Sequence, residues 1–314
     1  MSKIGIDIEK AKQILQNGGL VAIPTETVYG LAANALDKEA VLKIFEAKNR
    51  PHFDPLIIHT DNIEKVKQWV AEFPDWALKL AHAFWPGPLT LLLPKKNIPD
   101  IVSSGLERVA VRIPKHSLTL DLLAALDFPL AAPSANPFGY VSPTKPQHVA
   151  AQLKDKVDYI LDGGDCEVGI ESTIIGFEEG KLCVFRLGGL ALEDIEEIVG
   201  KVEPRLIQSS DPQAPGMLKN HYAPKKPLYI GDIDELLKQN AGKKIGIISF
   251  KTDRQIPLQQ VLSAKGSLQE AAHNLFNAIR LLDESNAEVI LAEKFPDNFL
   301  GRAINDRLHR AASQ

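Results

Sequence analysis

The apolar residues of this chain come in short runs of strand length, and the intervals between them carry capped, helix-like periodicity. LVAIP (20–24), PLIIH (55–59), LTLLL (89–93), VAVRI (109–113), PLAA (129–132), STIIGF (172–177) and LCVFRL (182–187) read as strands. Asp7 caps a helix whose Ile8, Ala11, Ile14 and Leu15 share one face, and Gly18-Gly19 end it. Asp37 opens a second helix with Val41, Ile44 and Phe45 turned inward, and Asp61 with Glu64 forms a capping-box pattern for a third. Further helices are expected at 117–126, 145–153 and 192–199. Such a mixture predicts an α/β or α+β domain built on one large, twisted sheet.

With 314 residues the chain exceeds one ordinary core and suits two domains. The stretch 203–227, EPRLIQSSDPQAPGMLKNHYAPKKP, holds five prolines and no apolar periodicity, the composition of a linker or functional loop. A plain linker rarely carries Met-Leu, His and Tyr, so this one is expected to pack on something. Beyond it the pattern becomes strand–helix–strand–helix. PLYIG (227–231), KIGIISF (244–250) and EVILAE (288–293) are strands, and Asp232 with Glu235 can cap the helix after the first. Ser267 with Glu270 opens a helix with Leu268, Ala271, Leu275, Ile279 and Leu282 on one face, and a last helix runs from about Leu300 to Ala312. A small three-stranded Rossmann-like unit is expected, without the GxGxxG turn of a dinucleotide site. The expected division is 1–203, a linker or lid at 204–226, and 227–314.

The formal net charge of −4 excludes a whole-molecule basic footprint for nucleic acid. Cys166 and Cys183 stand in no CxxC or zinc-like spacing, so buried, reduced thiols are expected. The start, MSKIGIDIEKAKQIL, has no signal-peptide core, and no uncharged apolar run approaches the roughly 18 residues of a membrane span. A soluble, cytoplasmic protein with no membrane partner is the expectation.

Five segments carry candidate chemistry. In PTETVYGLAANA (24–35) short hydroxyl residues follow a strand end, where they either cap a turn or present donors to a crevice. In FEAKNRPHFDPLIIH (45–59) Lys48 and Arg50 lie between a helix end and a Pro-punctuated loop; they complement the helix dipole or receive a polyphosphate. No GxxxxGK[ST] occurs, which excludes a P-loop. In RVAVRIPKH (108–116) Arg112 sits inside a strand and needs a partner, a structural carboxylate or a ligand's. In AAPSANPFGYVSPT (131–144) Ser134 and Asn136 stand on a stiff loop that can offer backbone N–H groups to phosphate. Ser172-Thr173 heads one strand and Arg186 ends another.

Taken together, these segments resemble the YrdC-type threonylcarbamoyl-AMP synthases in their long, two-domain form. The matching pieces are PTETVYGL, AKNRP, PLIIH, WPGPLT, VAVRIP, PSAN…SPT, ESTII and RLGG, followed by PGMLKNHYAP in the linker and GRAINDRLHRAA in the tail. The resemblance implies a twisted open mixed sheet with a deep, positively charged cavity, plus a Rossmann-like C-terminal domain. It implies that threonine's amine captures CO2 or bicarbonate and that the carbamate attacks the α-phosphate of ATP. It places a catalytic tetrad on Lys48, Arg50, Ser134 and Asn136. Threonine contacts fall on Thr27, His59, Arg112, Ala132 and Ser172. Nucleotide contacts fall on Arg50, Asp54, Arg108, Ser134, Ser142, Arg186 and Tyr222, with His221 beside the last. Mg2+ is expected to accompany ATP rather than occupy a protein metal site. Implied partners are L-threonine, bicarbonate, ATP, a tRNA-modifying threonylcarbamoyl transferase complex and tRNA itself. The family usually has Gly where Asn49 stands and Asn where Asp54 stands; an ionised Asp54 near phosphate needs Mg2+ or an Arg to compensate it. The alternative reading is a non-catalytic RNA-binding or ribosome-maturation module on the same fold, which would need neither the linker nor the tetrad.

Overall fold

The computed structural model describes residues 3–206, 214, 215 and 222–312. The first part is one eleven-stranded open sheet in the order β1-β8-β2-β3-β7-β4-β6-β5-β9-β10-β11. In chain order its elements are β1 (Lys3–Gly5), α1 (Ile8–Gln16), β2 (Val21–Ile23), β3 (Gly30–Asn34), α2 (Lys38–Lys48), β4 (Ile57–His59), α3 (Ile63–Trp69), α4 (Asp75–Phe84), β5 (Leu89–Pro94), α5 (Asp100–Ser103), β6 (Arg108–Arg112), α6 (Ser117–Ala124), β7 (Leu130–Ala131), α7 (Pro146–Leu153), β8 (Tyr159–Leu161), β9 (Thr173–Glu178), β10 (Lys181–Arg186), α8 (Leu192–Val199) and β11 (Glu203–Pro204). A second sheet, all parallel, follows in the order β12-β15-β13-β14. It comprises β12 (Leu228–Gly231), β13 (Ile245–Ser249), β14 (Gln259–Val261) and β15 (Val289–Glu293), with helices α9 (Ile233–Gln239), α10 (Leu268–Glu284) and α11 (Leu300–Ala312).

Local chemistry sets most boundaries. Asp7, Asp37, Asp232 and Ser267 each accept a first-turn N–H as N-caps. The third helix departs from expectation by one residue. Asn62 is the cap, accepting from Lys65 N at 2.8 Å, while Asp61 pairs with the Lys65 ammonium at 2.8 Å. The second sheet has four strands, not three, because Gln259–Val261 is a polar edge strand with no apolar alternation to betray it. β3, β8, the edge pieces β1 and β11, and the helix Asp75–Phe84 were likewise not expected.

The two-residue period of the strands sorts side chains to opposite faces. On β6, Val109 and Val111 enter a core with Ile58, Leu91, Leu93 and Ile175, covered by residues of α2 and α4 such as Ile44, Phe45, Leu80 and Ala81. Ala110 faces the other way, with Ile57, Leu92, Ile174 and Phe185. Parallel pairing sets His59 beside Arg112 on that second face.

The two parts share a core. Val28, Val141, Ile170 and Ala191 pack with Leu275, Phe276, Ile279, Ile304 and Leu308 of α10 and α11. Gly169, at φ +80°, lies so close to α10 that an added Cβ would fall on the backbone of His273. Arg280 of α10 donates to the carbonyls of Val141 and Ser142 and stacks over Tyr140, whose hydroxyl donates to Asp283 at 2.6 Å. Among the described residues no helix is long and apolar enough to cross a membrane. Both cysteines are free and buried, and burial pushes the Cys166 thiol up.

Candidate functional site

Backbone bonds join the TETVYG and PSAN segments into one wall. Leu31 N donates to Pro133 O, Ala135 N to Tyr29 O and Tyr29 N to Pro143 O, at 2.7–2.8 Å. Gly30 packs closely here: a Cβ would lie 3.2 Å from that of Ala132. Arg186 lies across β9 from Ile174, beside a register shift in β10. Gly188 closes this corner: a side chain there would strike the backbone of Glu171 and Ser172.

These segments surround a single recess. Its lining includes Thr27, Arg50, His59, Arg112, Ala132, Ser134, Ser172, Arg186 and Tyr222, with Glu171 and Pro215. Residues from all five of these segments and from the linker thus meet over one face of the sheet. The expected threonine contacts (Thr27, His59, Arg112, Ala132, Ser172) all line it. Of the expected nucleotide contacts, Arg50, Ser134, Arg186 and Tyr222 do so.

The remaining predicted residues that the structure describes do not line the cavity. The Lys48 ammonium, fully buried, donates to the carbonyls of Ser134 and Asn136. Burial, and then Arg50, hold its pKa well below the usual lysine value. Asn136 donates to the carbonyls of Pro137 and Tyr140. Both side chains shape the PSAN loop rather than the cavity surface. Asp54 pairs with Arg50 at 2.8 Å, which supplies the compensation an acidic residue requires here. Ser142 is buried and donates to Glu171. Arg108 lies on the cavity-facing side of β6 but four residues before Arg112, about 13 Å along the strand. It bonds Phe177 O and Glu178, and its guanidinium sits 5.4 Å from the Phe185 ring centroid. His221 lies outside the described residues. Asn49 takes the left-handed conformation at φ 53° as the C-cap of α2, so it serves where glycine is usual.

Each cavity guanidinium is held differently. Arg112 pairs with Glu26 at 2.7 Å, outside hydrogen-bond alignment at that nitrogen, and donates to Thr27 Oγ1 at 2.8 Å and Gly87 O at 3.2 Å. Thr27 Oγ1 also meets Thr25 Oγ1 at 2.8 Å. Arg50 has Asp54; burial lowers its pKa, with Asp54 acting in opposition. Arg186 donates to Ser172 O (2.9 Å), Ser172 Oγ (3.0 Å) and Pro215 O (3.4 Å), all neutral oxygens. Burial lowers its pKa to about 10, so it stays charged at neutral pH. Burial, reinforced by Arg112, drops His59 from 6.5 to about 3, leaving a neutral imidazole.

Two carboxylates escaped sequence reasoning. Glu26 sits inside the TETVYG run and is the structural partner that Arg112 required. Glu171 lines the cavity, accepts from Ser142 Oγ at 2.5 Å and pairs with Arg307 of α11 at 2.9 Å. Tyr222, held at φ 64°, stacks on Phe276 with centroids 5.3 Å apart, and Arg307 lies 5.1 Å from its ring centroid. Among the described residues no group of three or more His, Cys, Asp or Glu is placed to hold a metal ion. Among the described residues Glu26, Asp54 and Glu171 are each paired with a guanidinium.

Comparisons with known proteins identify the family and the fold. The Sua5–YciO–YrdC family, described as "Telomere recombination", matches residues 13–188, and the family "Threonylcarbamoyl-AMP synthase, C-terminal domain" matches 190–313. The chain is 42% identical to a threonylcarbamoyl-AMP synthase of Pyrococcus abyssi over 97% of its own length and 94% of the relative's. It is 39% identical to one of Bacillus subtilis, over 97% and 92%. The crystal structure of P. abyssi Sua5 complexed with L-threonine superposes with a TM-score of 0.93 at 39% identity, covering 99% of this chain and 97% of that one.

Proposed function

The chain belongs to the threonylcarbamoyl-AMP synthase family in its long, two-domain form, and from that premise we propose that its cavity joins L-threonine, bicarbonate or CO2, and ATP into threonylcarbamoyl-AMP and pyrophosphate. The observation that carries this reading is the meeting of Arg50, Arg112 and Arg186 with Thr27, His59, Ser134 and Ser172 around one buried cavity. Three guanidiniums in one recess repel one another, and a polyanionic substrate relieves that repulsion.

Arg112 receives the carboxylate of threonine as a planar fork, held in orientation by Glu26 and Thr27. Neutral His59 beside it offers a hydrogen-bonding surface without adding charge. A threonine ammonium placed near Arg112 and Arg186 loses its proton more readily than in water. The neutral amine nitrogen bonds to the carbon of CO2, and loss of a proton leaves a carbamate. A carbamate oxygen attacks the α-phosphorus, and the bond to the β,γ-phosphates breaks as pyrophosphate departs. Arg186, Arg50 and the PSAN loop bearing Ser134 receive the phosphates. Lys48 and Asn136 act on the reaction by fixing that loop. Such chemistry is positioning and charge neutralisation, and calls for no nucleophilic triad. Mg2+ bound to the substrate ATP would neutralise part of the phosphate charge. Tyr222 and Pro215 of the linker stand at the cavity wall, where they exclude water from a labile adenylate. The product goes to a tRNA-modifying transferase complex in the cytoplasm.

The decisive assay is pyrophosphate release from ATP and bicarbonate, with and without L-threonine. Threonine-dependent release is expected; release indifferent to threonine, or none, rejects the reading.

A further inference from the structure

We infer that the C-terminal domain makes the cavity fit for a polyanion: Arg307 on α11 cancels the charge of Glu171 and thereby keeps Arg186 available for phosphate. This rests on the reading of the cavity as an ATP site.

Glu171 is the one carboxylate among the described lining residues. A bare carboxylate there would oppose a triphosphate, and the low dielectric of a buried recess enlarges that opposition. Both its oxygens are engaged from behind, Oε1 by Ser142 Oγ and Oε2 by Arg307 Nε at 2.9 Å. Arg307 is fully buried and its pKa stands raised: burial pulls it down, but Tyr222, Glu171 and Asp306 together outweigh that pull. It therefore carries a permanent positive charge to the cavity's acidic corner, although it does not line the cavity itself.

Arg186 is the guanidinium that depends on this arrangement. Among the described residues its hydrogen bonds end on neutral oxygens, while Glu171 and Arg307 act on it with opposite signs. Without Arg307, Glu171 becomes the natural partner of Arg186, and the anion seat closes on itself. Arg307 also flanks the ring of Tyr222, so one side chain from the far end of the sequence steadies two elements of the cavity wall. Arg307 is a positioning residue: it acts through Glu171, Arg186 and Tyr222.

The test uses the full chain and reads ATP and threonine affinity by calorimetry beside the steady-state KM and kcat. R307Q is expected to weaken ATP at least about tenfold, while threonine affinity changes less than about threefold. The double variant R307Q/E171Q is expected to recover most of the ATP affinity, since the offending charge has gone. A purely structural Arg307 predicts the opposite, a double variant no better than R307Q, and that result overturns the inference. Equal loss of ATP and threonine binding in R307Q overturns it too. E171Q alone keeps every arginine and decides the matter if R307Q does not fold. It is expected to bind ATP at least as tightly as the wild type, and a loss of about tenfold would reject charge cancellation. R302Q breaks another contact between the two parts, the Arg302–Glu193 pair, and is expected to leave ATP affinity unchanged. Should the wild type bind ATP yet release no threonine-dependent pyrophosphate, the synthase reading falls while the recovery by E171Q still judges the role of Arg307.

Discussion

The two faces of the large sheet are built from the same strands and obey the same alternation, yet they meet different demands. On one face Ile58, Leu91, Val109 and Val111 lie under α2 and α4, apolar against apolar. On the other, one residue along, stand Ile57, His59, Ala110, Arg112 and Ser172, with the cavity above them. The covered face gains stability by excluding water from hydrocarbon. The cavity face buries charge, and most of it is matched by a partner: Arg112 by Glu26, Arg50 by Asp54, Glu171 by Arg307, while Arg186 donates to neutral oxygens of Ser172 and Pro215. A single strand thus carries stability on one side and chemistry on the other, and the chemistry depends on partners brought from distant segments.

This contrast can be broken most forcefully at Glu26. Glu26→Ala leaves the Arg112 guanidinium buried without its counter-charge and is expected to cost about 3–5 kcal/mol of stability. Threonine affinity should fall with it, because Arg112 loses its orientation. Equilibrium denaturation and threonine calorimetry measure the two effects; a stable variant with normal threonine binding contradicts the assignment. On the covered face Leu91→Ala is expected to cost about 2–5 kcal/mol through a cavity under the helices. Its kcat and KM, normalised to folded protein below the transition, should match the wild type. Altered threonine affinity there would show that the faces are not independent.

The smallest effect concerns pH and sharpens the contrast. His59 is held neutral, with its pKa at about 3 in the fold against 6.5 ordinarily. Below pH 6.5 the unfolded chain binds a proton that the folded one refuses until about pH 3, so stability falls as pH falls through that window. One such group contributes a slope of about 1.4 kcal/mol per pH unit. His59→Gln is expected to flatten the acid limb between pH 6 and about 4 by roughly that slope. An unchanged slope would show that another group governs the limb. His148, lowered to about 4 by burial, then Arg280 and Lys145, has the same sign and should persist in the variant.

Legibility in the sequence followed the range of the interaction. Strands with β-branched or leucine-rich runs, and helices with Asp or Ser caps, were readable because their cause lies within a few residues. GLAAN was not, since its small side chains follow a hydroxyl-rich run that looks like a loop; only pairing with β2 and β7 makes it a strand. The polar QQV strand hid for the same reason. At the site, the lining residues were reached through motif resemblance, and the alternation in VAVRI correctly turned Arg112 away from Val111. Hidden were the pairings of Arg112 and Arg307, whereas Asp54 was named along with its need for a compensating arginine. Glu26 and Glu171 lie within quoted motifs, but nothing local says which arginine each will meet. Arg307 is 136 residues from its partner, a pairing that only the assembled fold creates. Lys48 and Asn136 illustrate the converse: they stand beside cavity residues in sequence, yet their side chains turn to loop carbonyls.

The bare backbone at Gly169 has its own consequence. Helix α10 rests there with no side chain to yield, so the contact admits one spacing between the halves of the molecule. A side chain at position 169 can therefore be accommodated only if α10 shifts with it. An engineer grafting this C-terminal half onto another catalytic half would have to carry the glycine with it, or accept a wedge where the joint must close.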